Sequence, residues 1–105
     1  MGLRVDYVIR ESGKVSEIAL SGQLTFEDHE KFRGMIDTLR GQPGRAITVD
    51  LGGLDFIDSA GLGLLLLLHE AVGASDSRCA LRTPQGQVRR LLAVARFETL
   101  VPILD

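Results

Sequence analysis

A single cysteine, Cys79, leaves the chain unable to form an internal disulfide, so its stability has to come from packing. It lies in the run Arg-Cys-Ala-Leu-Arg and reads as a core residue rather than a reactive thiol. Tryptophan is absent, aromatics make up 5% of residues, and no basic stripe is interleaved with them. That pattern, with a net charge of -2, argues against a nucleic-acid-binding surface. Long apolar runs are also missing. The longest block, Leu64 to Leu68, falls well short of the ~20 residues that cross a bilayer. The N-terminus alternates and lacks the apolar core of a secretory leader. A cytoplasmic protein with no membrane segment is expected. One further absence is local. From Ala46 to Ser77 there is no Lys or Arg, while Asp50, Asp55, Asp58, Glu70 and Asp76 fall within that window. A partner docking there should bring positive charge.

The motifs of common enzymes are missing too. A lipase-type elbow reads Gly-x-Ser-x-Gly, and here Ile57 stands where the first glycine belongs. Leu66 replaces the third glycine of a dinucleotide fingerprint, and there is no Walker lysine. The only histidines, His29 and His69, fall on predicted helices and read as surface residues. No metal-ligand spacing occurs. Neither catalysis, nor a metal, nor a cofactor is expected.

What is present is ordinary globular composition, 45% hydrophobic and 25% charged, in 105 residues. A chain of this size buries roughly 65% of its unfolded surface, enough for one domain over residues 1–105. Val5, Tyr7 and Ile9 alternate with polar residues, Glu-Ser-Gly-Lys signals a turn, and Ile18 and Leu20 alternate again. This predicts a β-hairpin. Phe32, Met35, Ile36 and Leu39 then recur at helical spacing, with Thr25 as N-cap, Asp28 completing an approximate capping box, and Gly41 and Pro43 as the stop. Ile47, Val49 and Leu51 predict a central strand followed by a loop. Ser59 to Ala74 is a helix apolar on nearly every side, which is either buried or keeps one flank for a partner. Another strand, Ser77 to Arg82, precedes a helix capped by Thr83 with Pro84 at its first position and Val88, Leu91, Leu92 and Ala95 inward. A short apolar tail ends as a strand or a docked segment. The order β-β-α-β-α-β-α-(β) predicts an α/β fold: a mixed, mostly parallel sheet of about 4–5 strands with helices packed on it and an N-terminal β-hairpin.

The informative stretch is Ile-Asp-Ser-Ala-Gly-Leu-Gly, residues 57–63, where a strand delivers Asp58 and Ser59 to the start of a helix. The first N–H groups of that helix need acceptors, which either Asp58 or Ser59 can supply. Ala60, Gly61 and Gly63 let another surface approach closely.

The run Asp-Leu-Gly-Gly-Leu-Asp-Phe-Ile-Asp-Ser-Ala-Gly-Leu-Gly-Leu-Leu-Leu-Leu-Leu, residues 50–68, resembles the signature of the STAS domain, shared by bacterial anti-sigma factor antagonists and the tails of sulfate transporters. Leu20 to Phe32 and Val88 to Val101 resemble the family as well, so the likeness covers essentially the whole chain. Asp-Ser-x-Gly-Leu-Gly is similar to the anti-sigma antagonist branch. The resemblance implies the STAS fold and a partner-switching role. The partner is then an anti-sigma factor that is also a serine kinase of the histidine-kinase-like ATPase fold. That kinase phosphorylates Ser59 and so ends binding, and a PP2C-type phosphatase restores it. Docking residues implied at the site are Gln23, Thr25, Phe26, Asp58, Ala60, Gly61, Leu62 and Leu65. Two departures stand out. Ala60 removes the second hydroxyl that many members carry after the acceptor. The loop Gly-Gln-Leu-Thr has Gln23 and Thr25 where many carry acids. A monomer is expected in isolation. The alternative role is a small STAS accessory subunit of an ABC-type lipid transport complex.

Overall fold

A computed structural model describes residues 5–13, 15–40, 44–74 and 78–104. Along the chain come β1 (Asp6–Ser12), β2 (Val15–Leu24), a 3-10 turn (Phe26–Asp28), α1 (His29–Arg40), β3 (Ala46–Ile57), α2 (Ser59–Ala74), β4 (Arg78–Arg82), α3 (Gly86–Val94), a second 3-10 turn (Phe97–Thr99) and β5 (Ile103–Leu104). The five strands lie side by side in chain order. β1 and β2 form the expected antiparallel hairpin, and β2 to β5 run parallel. Lys14 of the hairpin turn, the Gly41–Pro43 helix stop, and Ser77 at the start of the fourth strand lie outside the described residues.

The alternation seen in the sequence becomes the two faces of the sheet. Ile18 and Leu20 on β2, Ile47, Val49 and Leu51 on β3, and Cys79 and Leu81 on β4 are buried. They share one core with Phe32, Met35, Ile36 and Leu39 of α1 and with Leu64, Leu65, Leu68, Ala71 and Val72 of α2. Each fully buried leucine contributes about 1.5–3 kcal/mol over leaving it in water. Cys79 is inside, as expected, and burial pushes its thiol up to about 11. On the other face of the sheet Val8 and Leu104 remain exposed, flanking an ion network. There Arg82 Nη2 lies 3.1 Å from Glu17 Oε2 and 3.1 Å from Asp50 Oδ2, bridging three strands.

Four expectations need correction. First, β3 does not give way to a loop after Leu51; it continues to Ile57. Its pairing with β2 slips twice. Ala19 faces Asp50 but Ser21 faces Gly53, and Gly22 faces Leu54 but Gln23 faces Phe56. Each slip is a bulge holding one extra β3 residue, and Gly22 opposite them adopts φ +87, open to glycine at little cost. The bulges stretch the inward spacing from two residues to three, so Leu51, Leu54 and Ile57 are all buried. Second, Thr83 is not the cap of α3. Its N–H donates to Leu104 O at 2.8 Å, which keeps it in the β4–β5 ladder; the helix waits for Gln85 as its N-cap, so Pro84 precedes the helix instead of opening it. Third, Ala95 is exposed at the helix end, and Phe97 fills the core beyond it. Fourth, neither histidine is fully on the surface: both are half-buried. The His69 Nδ1 is shielded with no hydrogen-bond partner among the described residues.

Candidate functional site

β4 pairs with β3 only from Ala46 to Asp50. Beyond that point the β3 edge is open, and buried backbone groups need partners from elsewhere. α3 supplies them. Gln85 Nε2 donates to Gly52 O at 2.8 Å. Gln87 grips Ile57 at both ends: the Ile57 N–H donates to Oε1 at 3.0 Å, and Nε2 donates to Ile57 O at 2.8 Å. Asp50 shapes the first bulge by accepting the Gly52 N–H at 2.8 Å. That bond, and Arg82 beside it, hold the Asp50 carboxyl below the ordinary range despite partial burial, which pulls the other way. The end of β3 is therefore fixed immediately before the sequence motif.

Asp58 settles which residue caps α2. Its Oδ1 accepts the Gly61 N–H at 2.7 Å, while the first backbone bond runs from Leu62 N–H to Asp58 O at 2.9 Å. This is N-cap geometry, and a carboxylate there also suits the helix dipole. Asp58 Oδ2 reaches the other way and accepts the Phe26 N–H at 3.3 Å. Its own N–H donates to Leu24 O at 3.3 Å. One residue thus joins the start of α2 to the segment between β2 and α1. Ser59, relieved of capping, is exposed, and its hydroxyl makes no hydrogen bond to the described residues.

Gly61 is buried against that same segment. A Cβ on it would lie 2.1 Å from Leu24 O and 2.8 Å from the Ile57 side chain. Its lack of a side chain serves the chain's own packing. Gly61, expected as a docking residue, is therefore a close-packing contact between α2 and the end of β2, buried away from any partner. Leu65, expected as a docking residue, is 1% exposed and lies in the core. Helical spacing from Ser59 puts Leu62 and Leu66 on the outer flank, and both are half-buried. Leu66 shares that flank although the sequence reading singled out Leu65; counting three, four and seven residues on from Ser59 along the helix was the signal that could have found it.

The remaining candidates divide by what they touch. Thr25 is half-buried and engaged with Asp28, its N–H donating to Oδ2 at 2.9 Å and its hydroxyl at 3.3 Å. It serves the capping box anticipated from sequence. Asp28 itself is 2% exposed and accepts the Val5 N–H at 3.2 Å through Oδ1, pinning the entry to β1. Gln23 and Ala60 are half-buried, beside the site. Phe26 is 71% exposed, its ring tilted beside His29 at a centroid distance of 6.4 Å. Phe56, opposite Gln23 in the sheet register, is 38% exposed and was not anticipated. Around the accessible Ser59, then, stand the half-buried Leu62 and Leu66 on the same flank of α2 and the exposed Phe26, tied to Asp58 through its N–H, with Glu27, His29 and Glu30 lining a shallow hollow beside that ring. Among the described residues no cluster of acids, histidines or cysteine is placed to hold a metal ion. No described helix is long and apolar enough to cross a membrane.

A five-stranded sheet with this order, and a strand that hands an Asp-Ser pair to a buried leucine helix, defines a class of domain. The family described as Mlab, STAS domain matches residues 8–102, and the chain belongs to the STAS-domain family. A STAS-domain containing protein of Pseudomonas aeruginosa is 33% identical over 91 residues, 87% of this chain and 89% of that one. Among solved structures the chain is similar to an anti-sigma factor antagonist of Mycobacterium paratuberculosis, with 20% identity, 96% of this chain and 86% of the other covered, and a TM-score of 0.80. It is similar also to the Bacillus cell fate determinant SpoIIAA in its phosphorylated form, with 22% identity, coverage of 95% and 92%, and a TM-score of 0.71. A sulfate transporter family protein of Wolinella succinogenes shares the fold at 15% identity, coverage of 91% and 80%, and a TM-score of 0.76.

Proposed function

We propose that this chain is an anti-sigma factor antagonist that works by partner switching, with Ser59 as its phosphoacceptor. The observation that carries the reading is the division of labour at the start of α2: Asp58 caps the helix, and Ser59 is left exposed with an uncommitted hydroxyl. Unmodified, this face docks on an anti-sigma factor that is also a serine kinase of the histidine-kinase-like ATPase fold, and the sigma factor is released. The kinase transfers the γ-phosphoryl group of ATP to Ser59 Oγ; ADP leaves, and the hydroxyl proton passes to a base of the kinase. A PP2C-type phosphatase hydrolyses the ester with water and returns the serine. These exchanges take place in the cytoplasm, with this chain a monomer when alone.

The physics of release is local. The ester adds about -1.5 to -2 charges where no Lys or Arg occurs between Ala46 and Ser77. A penalty of about 3 kcal/mol at a desolvated contact lowers affinity on the order of a hundredfold, which exchanges partners without unfolding the domain. SpoIIAA, whose fold the chain shares, has been solved in both unphosphorylated and phosphorylated forms, which supports the analogy. Incubation with the cognate kinase and ATP, read by intact mass, tests the proposal. One phosphate on the wild type and none on Ser59→Ala is the expected result; no phosphate on either contradicts it.

The match to the family described as Mlab favours a second reading, a small accessory subunit of an ABC-type lipid transport complex. In that case the chain co-purifies with a membrane ATPase, and Ser59 carries no phosphate.

A further inference from the structure

We propose that Phe26 is the apolar anchor of the docking face, and that Asp58 couples its posture to the state of Ser59, so that phosphorylation withdraws the anchor as well as repelling the partner. This rests on the reading of Ser59 as phosphoacceptor.

Phe26 holds a conspicuous position. Its ring is 71% exposed, yet the backbone carrying it is fixed from two directions. Asp28 Oδ2 takes the N–H of Thr25 at 2.9 Å, and Asp58 Oδ2 takes the N–H of Phe26 itself at 3.3 Å. A large side chain offered to solvent on a held backbone is preorganised for binding, because the ordering cost is met before the partner arrives. Aromatic anchors of this kind dominate interface energetics. The partner's side of the contact follows from the surroundings. It is an apolar pocket that admits a phenyl ring, with Lys or Arg at its rim facing Glu27 and Glu30, both exposed and lining the same hollow as Phe26.

The coupling follows from the shared carboxylate. Both Asp58 oxygens are in use, Oδ1 on Gly61 N–H at 2.7 Å and Oδ2 on Phe26 N–H at 3.3 Å. A phosphate on the next residue repels that carboxylate and competes with it for the free N–H groups at the start of α2. The bond within the helix cap is the shorter. The bond to Phe26 is longer, exposed, and spans two segments, so it yields first. Phe26 then loses its tie to α2 and keeps only the bonds of its own 3-10 turn, such as the His29 N–H on its carbonyl, so the ring is presented over a wider range of positions.

The test needs no kinase. Phosphoserine is installed at position 59 during synthesis, and backbone 15N relaxation is compared with the unmodified protein. The Phe26 order parameter is expected to fall from about 0.85 to below about 0.6, with Phe32 and Leu68 unchanged. Asp58→Asn keeps an oxygen for the Gly61 N–H and loses the acceptor for Phe26, so it is expected to loosen Phe26 without any phosphate. An unchanged Phe26 order parameter in either protein overturns the coupling. The anchor is tested separately with the kinase that phosphorylates Ser59. Phe26→Ala is expected to weaken binding at least about tenfold, and Phe26→Leu to recover part of it; wild-type affinity for Phe26→Ala overturns the anchor. If no kinase modifies Ser59, the functional reading fails, while the relaxation data still decide the coupling.

Discussion

The two halves of β3 hold their backbones by different means. From Ala46 to Asp50 the strand lies between β2 and β4, in regular register with both. From Leu51 to Ile57 it is bulged on the β2 side and without a strand on the other, and side chains take over: Asp50 on Gly52, Gln85 on Gly52, Gln87 on Ile57. The first half builds the core. The second gives up regular pairing and in return delivers Asp58 and Ser59 to the rim of the sheet at a defined place. Backbone satisfied by side chains is backbone that single substitutions can release, so the two halves should respond differently to mutation.

The largest effect is expected where the irregular half meets α2. Gly61→Ala puts a Cβ 2.1 Å from Leu24 O, a backbone atom that cannot turn aside. A loss of about 3 kcal/mol in urea unfolding is expected. A variant within about 0.5 kcal/mol of wild type, the usual span of a harmless surface change, means that α2 does not press on β2 as described. Next comes Gln87→Ala, which strips both Ile57 groups of their partner. It is expected to cost about 1–2 kcal/mol and to raise hydrogen exchange at Ile57 while leaving Val49 protected. Equal changes at Ile57 and Val49 erase the distinction between the halves.

The smallest effect is a pH dependence at the junction. The Asp50 carboxyl is lowered chiefly by the Gly52 N–H, so the folded state keeps it charged at pH values where the unfolded chain, near pKa 3.9, already takes up a proton. Its stabilisation is present above about pH 4 and is lost as pH falls through the lower folded value. Since Asp50 is partly exposed, screening holds the contribution to about 1 kcal/mol or less. Asp50→Asn should flatten the acid limb of a stability-pH curve by that amount. A curve that keeps its full acid slope removes Asp50 from the account.

The same contrast governs what the sequence disclosed. Regular pairing writes a period of two, so Ile18, Leu20, Ile47, Val49 and Leu51 marked both strands and their inward face. Helical period did as much for α1, and the Ser59–Ala74 span of α2 was legible to the residue. Bulges erase the period: Leu51, Leu54 and Ile57 lie three apart, which reads as a loop although every one of them is buried. The roles of Gln85 and Gln87 were hidden because nothing local reveals that an edge 30 residues earlier lacks a strand. Ser59 was legible through its motif, and Asp58 only as one of two possible caps. Within Leu64 to Leu68 composition cannot separate core from flank, since all five are alike, and Leu65 was placed on the wrong side for that reason.

The central claim is that esterification of Ser59 decides whether a partner docks on the face around Phe26, Leu62 and Leu66. Its most direct test is the affinity of the cognate anti-sigma kinase for two forms of this protein, one with serine and one with phosphoserine at position 59, measured by calorimetry. A dissociation constant raised on the order of a hundredfold by the phosphate is the predicted result. Equal affinity for the two forms contradicts the account.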